Sequence, residues 1–378
     1  MSTLLRYLEK NIVTDLKEKM VFLGGPRQVG KTTFSQSLLH GKAKSSAYLN
    51  WDSIEDRKKI LAGEWPSNEK LIILDEIHKF AKWRGLIKGY YDKLKSLHQF
   101  LITGSARLDY YRKGGDSLLG RYHYYRMHPL SLPEVSKQNS NVEMQRLYSF
   151  GGFPEPYLRQ DHTALKRWHR QRRERIVYAD IRDLENIKEI TNIELLMSAL
   201  PVRVGSPLSR KNLAQELEVD FKTVERWLTI LENVYYCYRI SPFGAPKIKA
   251  VKKEQKIYFW DWSELEDAGS KWENFVASHL LKYCHFIEDT EGDVMELRFL
   301  RDVEGREVDF VVLKNKKPIF AVECKTGDKK ISPHLNYFAE RTSIPQFYQV
   351  HKGDRSLAIS DKIQMLPFAE FCRIEKMK

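Results

Sequence analysis

A glycine-rich loop near the start of the chain has the spacing needed to hold phosphate groups. It reads Gly25-Pro26-Arg27-Gln28-Val29-Gly30-Lys31-Thr32-Thr33, after an apolar run at 20–23 and before a predicted helix at 32–39. Its N–H groups can surround phosphates at the start of a helix, Lys31 can reach the β and γ phosphates, and the Thr32 hydroxyl can hold Mg²⁺. The alternative is a chance match in a glycine-rich turn. The strand–loop–helix context favours binding of ATP with Mg²⁺.

Two acidic residues end a second apolar run, at 71–74. Asp75 would hold the Mg²⁺ shell, and Glu76 would polarise the attacking water. An ordinary junction between a strand and a helix is the alternative interpretation. Beside a phosphate loop, the pair of acids predicts hydrolysis rather than binding alone.

Hydroxyl side chains follow the next apolar run, at 100–102, and an arginine lies further along the chain. Thr103 or Ser105 would lie beside the γ phosphate and act as a sensor. Arg121, which follows Leu118-Leu119-Gly120, would reach the nucleotide of a neighbouring subunit in a ring. A local salt bridge on the surface is the alternative for Arg121.

A predicted β-hairpin near the carboxyl end carries a second candidate site. Strands at 307–312 and 319–325 are joined through 315–318, which places Asp309 opposite Glu323. Two like charges across a hairpin call for a compensating cation or lysine, and a divalent metal explains the placement. Asp309 and Glu323 would hold Mg²⁺, and Lys325 would orient or activate water, as in the D…E-x-K constellation of metal-dependent nucleases.

Two alternatives stay open at this second site. The first is that the hairpin is an exposed element with ordinary surface charges and binds no metal. Glu273, on a preceding helical pattern, is either a third acid of the site or a solvated helix residue, and only proximity in three dimensions decides between these.

The middle of the chain contains a helix-turn-helix pattern. Residues 213–217 and 222–228 read as helices around a break at 218–220, with Asp220 as the cap of the second helix. Lys222, Thr223 and Arg226 would be exposed and could enter a major groove or contact phosphates. Packing between domains is the alternative. The basic stretch 164–184 is a secondary candidate for DNA contact.

Alternating apolar and helical segments predict an α/β protein built on a parallel sheet. The glycines and prolines of 151–156 read as a hinge. We therefore expect an ATPase core at 1–150, a helical linker with a winged-helix module at 151–245, and a restriction-endonuclease-like α/β domain at 246–378.

Composition restricts the partners and the compartment. The 378 residues carry a formal charge of +13, which favours a polyanion such as DNA, although anionic lipid or simple solubility would also fit. The four cysteines lie far apart and suggest neither disulfides nor a zinc site. No apolar run approaches the length of about 18 residues that spans a membrane. These features predict a cytoplasmic protein.

The chain resembles prokaryotic AAA-type P-loop ATPases fused to a winged-helix module and a carboxyl-terminal PD-(D/E)xK nuclease-like domain. The similarity rests on the phosphate loop and on Leu74-Asp75-Glu76, Leu101-Ile102-Thr103-Gly104-Ser105, Leu119-Gly120-Arg121, Gly151-Gly152-Phe153-Pro154, Val308-Asp309-Phe310 and Glu323-Cys324-Lys325. It implies ATP-dependent work on DNA, with branched or forked DNA as the substrate class, by a homo-oligomeric ring such as a hexamer. The alternative is a signalling or regulatory ATPase whose carboxyl-terminal domain binds a protein partner and does not cleave DNA.

Overall fold

The computed structural model describes residues 5–39, 46–104, 118–136, 141–181, 190–244, 255–328 and 330–378. Two compact units divide the chain, Met1–Pro129 and Leu130–Lys378. Residues 130–150, which the sequence-based division assigned to the first domain, therefore lie in the second unit. Their packing explains this, because Leu147 is fully buried and its carbonyl oxygen accepts a hydrogen bond of 2.8 Å from the Trp262 indole.

A parallel sheet forms the centre of the first unit. Its strands are β1 Met20–Gly24, β2 Tyr48–Asn50, β3 Leu71–Asp75, β4 Gln99–Thr103 and β5 Tyr122–Arg126. They lie in the order β2-β3-β4-β1-β5, and all neighbours are parallel. The apolar runs at 20–23, 71–74 and 100–102 are confirmed as strands β1, β3 and β4, to within a residue or two. Both faces of such a sheet are covered, which explains the uninterrupted apolar sequence.

The edge strand β5 was not predicted, because its sequence Tyr-His-Tyr-Tyr-Arg mixes polar and aromatic residues. Aromatic residues favour strands, and this is the local signal that could have identified it. Tyr125 is buried, and its hydroxyl donates to Asp15 at 2.6 Å.

Helices surround this sheet. They are α1 Glu9–Asp15, α2 Lys31–Ser37, α3 Ile54–Ala62 and α4 Trp83–Leu94. The helix predicted after the phosphate loop is confirmed as α2, although it ends two residues earlier than expected. A 3₁₀ turn at Ile77–Lys79 follows β3.

The second unit combines helices with a mixed sheet. Its helices are α5 Leu132–Val135, α6 Asn141–Phe150, α7 Pro154–Arg159, α8 His162–Arg175, α9 Ile190–Ala199, α10 Arg210–Glu216, α11 Phe221–Asn233, α12 Ala268–Glu291, α13 Pro333–Arg341 and α14 Phe368–Ile374. The two helical patterns predicted in the middle of the chain are α10 and α11. Asp220 caps α11 as predicted, by accepting a hydrogen bond of 2.6 Å from the Lys222 N–H. The apolar face of α11 lies in the core, since Val224, Trp227, Leu228 and Leu231 are fully buried.

The sheet of the second unit contains the predicted hairpin. Its strands are β6 Cys237–Pro242, β7 Lys256–Phe259, β8 Met295–Arg301, β9 Glu307–Lys314, β10 Lys317–Cys324, β11 Phe347–His351, β12 Leu357–Ser360 and β13 Ile363–Pro367. They lie in the order β12-β13-β11-β10-β9-β8-β6-β7. The predicted boundary at residue 245 thus falls between the paired strands β6 and β7.

Strands β9 and β10 pair in antiparallel fashion, which confirms the hairpin. Val322 lies opposite Phe310, so the same register continued by one residue places Glu323 opposite Asp309. The turn residues Asn315 and Lys316 both have positive φ, at 52° and 67°. This is the backbone conformation that type I′ hairpin turns require.

Candidate functional site

The phosphate loop joins β1 to α2, and its glycines have conformations that other residues adopt with difficulty. Gly25 has a φ of 140°, and a Cβ at this position would overlap the carbonyl oxygen of Met127. Gly30, with a φ of 98°, is the N-cap of α2. Lys31 is buried and its ammonium donates to the carbonyl oxygens of Gly25 and Pro26, both at 2.8 Å. The lysine therefore turns back along the loop that would enclose a phosphate.

A buried arginine that sequence reasoning missed supports this loop. Arg6 donates to the carbonyl oxygen of Val29 at 2.8 Å and to that of His128 at 2.5 Å. These hydrogen bonds tie the loop to the segment that follows β5. Among the other loop residues, Arg27 and Gln28 are partly exposed and Thr33 is exposed.

Asp75 at the end of β3 is the centre of a hydrogen-bond cluster. Its Oδ2 accepts from the Thr32 hydroxyl at 3.0 Å and from the Tyr48 hydroxyl at 2.5 Å, and its Oδ1 accepts from the Thr103 hydroxyl at 2.5 Å. Asp75 and Thr103 are the last residues of the adjacent parallel strands β3 and β4, so they lie side by side at one edge of the sheet. The oxygens of a hydroxyl and a neighbouring carboxylate are the kind of ligands that Mg²⁺ prefers. Thr32 and Asp75 therefore fit the predicted metal ligands.

Two of these placements differ from what local sequence suggested. Thr103, predicted as a sensor of the γ phosphate, is fully buried and holds Asp75. Tyr48 was missed, because a tyrosine in an apolar strand gives no sign of its partner. Burial, followed by the charge of Asp75, raises the pKa of Tyr48. The second predicted sensor, Ser105, lies outside the described residues.

Glu76 has the position and the chemistry of a general base. Its φ is 58°, and its N–H donates to the Thr103 carbonyl oxygen at 2.9 Å. Such left-handed backbone in a non-glycine residue is costly and concentrates at functional sites. Burial raises the pKa of Glu76, while the charge of Lys31 opposes the shift. A carboxylate with a raised pKa accepts a proton from water more readily than an exposed one.

Arg121 lies at the opposite edge of the same sheet. Its carbonyl oxygen accepts from the N–H of Met20, the first residue of β1, whereas the phosphate loop follows the last residue of that strand. A strand of this length spans roughly 16 Å. The guanidinium forms two hydrogen bonds to Asp92 on α4, at 2.8 and 3.1 Å. This ion pair is the local arrangement that the alternative interpretation expected, and any role for Arg121 at a nucleotide requires the nucleotide of another subunit.

The acids predicted in the second unit are grouped around a lysine that sequence reasoning missed. The Lys256 ammonium on β7 lies 3.1 Å from Glu273 Oε1 and 3.8 Å from Asp309 Oδ1, and it forms a short ion pair with Glu307. The Tyr258 hydroxyl also donates to Glu273 Oε1, at 2.7 Å. Glu273 is thus a member of the cluster and not a solvated helix residue. Lys256 and Tyr258 share one face of an otherwise apolar strand, which is the pattern that could have identified them.

Glu323 and Lys325 form the second part of this cluster. Lys325 Nζ lies 2.7 Å from Glu323 Oε1. Within the described residues, Glu323 Oε2 is buried and has no hydrogen-bond partner. Asp309 accepts a hydrogen bond of 2.7 Å from the Cys324 N–H. The structure therefore brings together all four residues predicted for this site.

These groups do not fit a divalent metal as they are arranged. The described ranges contain no set of three His, Cys, Asp or Glu side chains grouped as they would be around a metal ion. The cation facing Asp309 is the ammonium of Lys256, which is fully buried. The unpartnered Glu323 Oε2 is the single feature that favours a metal, so Mg²⁺ binding by Asp309 and Glu323 stays a prediction.

The pKa of Glu273 makes the stability of this cluster depend on pH. Burial, with the charge of Asp309, raises this pKa from 4.5 to about 8. Between these two values the unfolded chain has released a proton that the folded chain retains, so stability is highest below the lower pKa and falls as the pH rises towards the upper one.

We expect Glu273→Gln, which cannot titrate, to remove much of the stability loss at high pH. Its melting temperature should match that of the wild type near pH 5 and exceed it by roughly 5 °C near pH 9. Thermal melts across this range test the expectation, with the exposed Glu340→Gln as the matched control. A difference between variant and wild type that does not grow with pH would contradict it.

Candidate DNA-contacting residues divide by burial. Lys222 and Arg226 are exposed on α11, and Thr223 is partly exposed. The basic helix α8 differs from the expectation, because Arg172 is buried and bonded to Glu264 at 3.0 Å and to the Tyr235 carbonyl oxygen at 3.2 Å. Arg172 therefore packs in the core and is not available for contact with DNA. The exposed cations of α8 are Lys166, Arg167, Arg170 and Arg175.

Comparison with known proteins finds domain families that are similar to three parts of the chain. Residues 17–136 match a family described as an AAA domain. Residues 141–266 and 268–371 match two domains of unknown function, DUF8612 and DUF4143. No helix in the described part of the chain has the length and apolarity needed to cross a membrane.

Relatives cover nearly the whole chain at low identity. The uncharacterized protein Rv2008c of Mycobacterium tuberculosis is 23% identical over 367 residues, which are 92% of this chain and 80% of the relative. The uncharacterized protein MJ1544 of Methanocaldococcus jannaschii is 24% identical over 402 residues, with coverage of 93% and 88%. The Thermotoga maritima RuvB Holliday junction branch migration motor aligns with a TM-score of 0.31 and 17% identity, over 65% of this chain and 93% of that chain. Residues 17–136, which contain the parallel sheet and its phosphate loop, are thus similar to AAA domains.

Proposed function

We propose that the chain hydrolyses ATP in order to act on DNA, with branched or forked DNA as the substrate class, and that it works as a homo-oligomeric ring. The observation that carries the proposal is the cluster at Asp75. The Thr32 hydroxyl lies 3.0 Å from this carboxylate, and Glu76 is the next residue in the chain. A phosphate loop, a metal-ligand pair and a partly buried base at one sheet edge are the parts that nucleotide hydrolysis needs.

Each part has a separate task. Lys31 would leave its loop carbonyls and neutralise the phosphates, while Thr32 and Asp75 would hold Mg²⁺. When bound, Mg²⁺ would offset negative charge on the β and γ phosphates. Glu76 would accept a proton from the attacking water, and its raised pKa suits that role. Thr103 and Tyr48 would keep the Asp75 carboxylate in one orientation.

The proposed DNA contact rests on charge and on the exposed face of α11. The chain carries a net charge of +13, and Lys222 and Arg226 project from the second helix of the helix-turn-helix pair. Helices α10 and α11 followed by the antiparallel strands β6 and β7 have the element order of a winged helix. These features support binding through phosphates, with little selection of sequence.

Binding through phosphates makes a quantitative prediction. Affinity for DNA should fall by roughly 1,000-fold or more between 50 and 200 mM salt if six or more phosphates are contacted. The test is to measure affinity over this range, together with ATP turnover without DNA and with duplex, single strand, fork and four-way junction. Turnover should rise most with the fork or the junction. The proposal would be contradicted if DNA affinity did not change with salt, or if no DNA changed the rate of ATP turnover.

A charge-matched pair of variants makes this test specific. Lys222→Ala with Arg226→Ala should weaken binding to all sequences and reduce the slope of log affinity against log salt by about 2. Lys10→Ala with Lys17→Ala removes the same charge from exposed positions in the first unit and should leave the slope unchanged.

A second candidate function is favoured by the Lys256 cluster. A regulatory ATPase whose carboxyl-terminal domain binds a protein partner requires no metal at Asp309, and an internal ammonium beside that carboxylate agrees with this reading. Turnover that responds to no DNA, together with the absence of cleavage in Mg²⁺ or Mn²⁺, would support this alternative over the DNA-acting protein.

A further inference from the structure

We propose that Lys256 is a built-in cation of the nuclease-like acid cluster, so that this site is complete without a divalent metal and does not cleave DNA. The inference is independent of the proposed ATPase function, because every residue that carries it belongs to the second unit. It concerns Lys256, Glu273, Glu307 and Asp309, which we call the lysine-centred cluster.

Geometry places the ammonium in contact with three acidic side chains at once. Lys256 Nζ is 3.1 Å from Glu273 and 3.8 Å from Asp309, and it contacts Glu307 more closely still. A divalent ion bound by Asp309 would lie next to this buried positive charge. The two cations would repel each other in surroundings that screen them poorly. Lys256 and a metal therefore compete for the same carboxylates.

Lys256 is also held in place by its backbone. On β7 it pairs with Ile240 of β6, and on its other side it forms a bridge with Pro207. The ammonium further lies 5.5 Å from the centre of the Phe299 ring. Displacing the side chain would leave three acidic side chains facing one another, and the strand cannot withdraw without breaking pairing on both sides.

The loop at Gly205 packs against the lysine-centred cluster beside Glu273 and limits its exposure. A Cβ on Gly205 would lie 2.8 Å from Glu273 Oε2, so the backbone of this loop passes directly over the acid. The Gly205 N–H also donates to the Ile257 carbonyl oxygen at 3.4 Å, which joins the loop to β7. The side chains of Glu273 and Asp309 are only 17% and 15% exposed.

Lys256 is not the lysine of the D…E-x-K pattern. Lys325 already occupies the position two residues after Glu323 and pairs with it at 2.7 Å. Lys256 comes from a different strand and faces different carboxylates. It is therefore an additional positive charge, and the chemical role open to it is the charge compensation that a metal would otherwise provide.

Manganese binding by the full chain tests the proposal. Mn²⁺ is titrated into nucleotide-free protein carrying Asp75→Asn, so that any ion retained belongs to the second unit. We expect no stoichiometric binding, no increase in melting temperature with Mn²⁺, and no cleavage of linear or branched DNA. One bound Mn²⁺ per chain that is lost on Asp309→Asn would overturn the proposal, as would metal-dependent cleavage that is lost on Glu323→Ala.

Replacing the lysine in the same background should create the missing metal site. Lys256→Met removes the charge and keeps the side-chain length, so the melting temperature should fall by roughly 10 °C. Added Mn²⁺ should bind once per chain and restore much of that loss. Lys317→Met, a control at the exposed first residue of β10, should change neither property. The melting temperature of Lys256→Arg should not respond to Mn²⁺. A Lys256→Met protein as stable as its parent would overturn the proposal, and if this variant does not fold, the titration above decides.

Discussion

Glu76→Gln should retain ATP affinity and lose at least about 100-fold in turnover, since a positioned general base contributes factors of this size. Glutamine keeps the shape of Glu76 and its backbone bond to Thr103, but it cannot accept a proton from water. Lys31→Ala should act at an earlier step. It removes the cation that would reach the phosphates, so nucleotide binding itself should fail.

Equilibrium binding of a fluorescent ATP analogue, together with phosphate release, separates the two steps. Glu55→Gln, in the first turn of α3, is the matched control and should behave as wild type. Normal turnover by either Glu76→Gln or Lys31→Ala would remove the proposed site. The melting temperatures of all variants should be compared first, because Lys31 is buried against its loop.

Arg121→Ala should lower turnover by roughly 1,000-fold while ATP affinity changes little, the size of effect seen when an arginine finger is lost. The physical reason is position. Arg121 lies at the sheet edge away from its own phosphate loop, so it can reach only the nucleotide of a neighbouring subunit. Its bond to Asp92 would have to open for this, because the ion pair uses both Nε and an Nη group.

Mixing variants distinguishes action between subunits from a local structural role. Arg121→Ala and Glu76→Gln proteins, each inactive alone, should recover part of the turnover when their oligomers exchange. In the mixed ring, an intact Glu76 in one subunit meets an intact Arg121 from the next. Lys93→Ala, a neighbouring exposed charge on α4, serves as the control. No recovery in oligomers shown to exchange would contradict the assignment, and an equal loss in Asp92→Asn would point to the ion pair itself.

The phosphate loop, the strands that flank it and the hairpin could all be predicted because their signals are local. A loop such as Gly25–Thr32 contains in eight consecutive positions nearly everything that positions a phosphate. Strands β1, β3 and β4 are buried on both faces, so their sequences are continuously apolar. The two-residue turn at Asn315 and Lys316 sets the register of β9 and β10, and with it the approach of Asp309 to Glu323.

The partners of those acids depend on strands that are distant in sequence. Tyr48 meets Asp75 only because β2 and β3 are neighbours in the sheet, and no periodicity within β2 indicates that pairing. The same holds for Arg6, which supports the phosphate loop from the amino-terminal segment. Local sequence therefore identified Asp75 and Glu76 and left open what orients them.

The charges around Asp309 show most clearly what local sequence predicts and what only the tertiary structure decides. Sequence alone placed two acids face to face and required a cation, which a metal or a lysine could have supplied. The structure places Lys256 there, since the strand order β9-β8-β6-β7 and the helix α12 bring Lys256, Glu273 and Asp309 to one place. Electrostatic energies depend on distances of a few ångströms, and only the tertiary structure sets such distances between residues far apart in the chain.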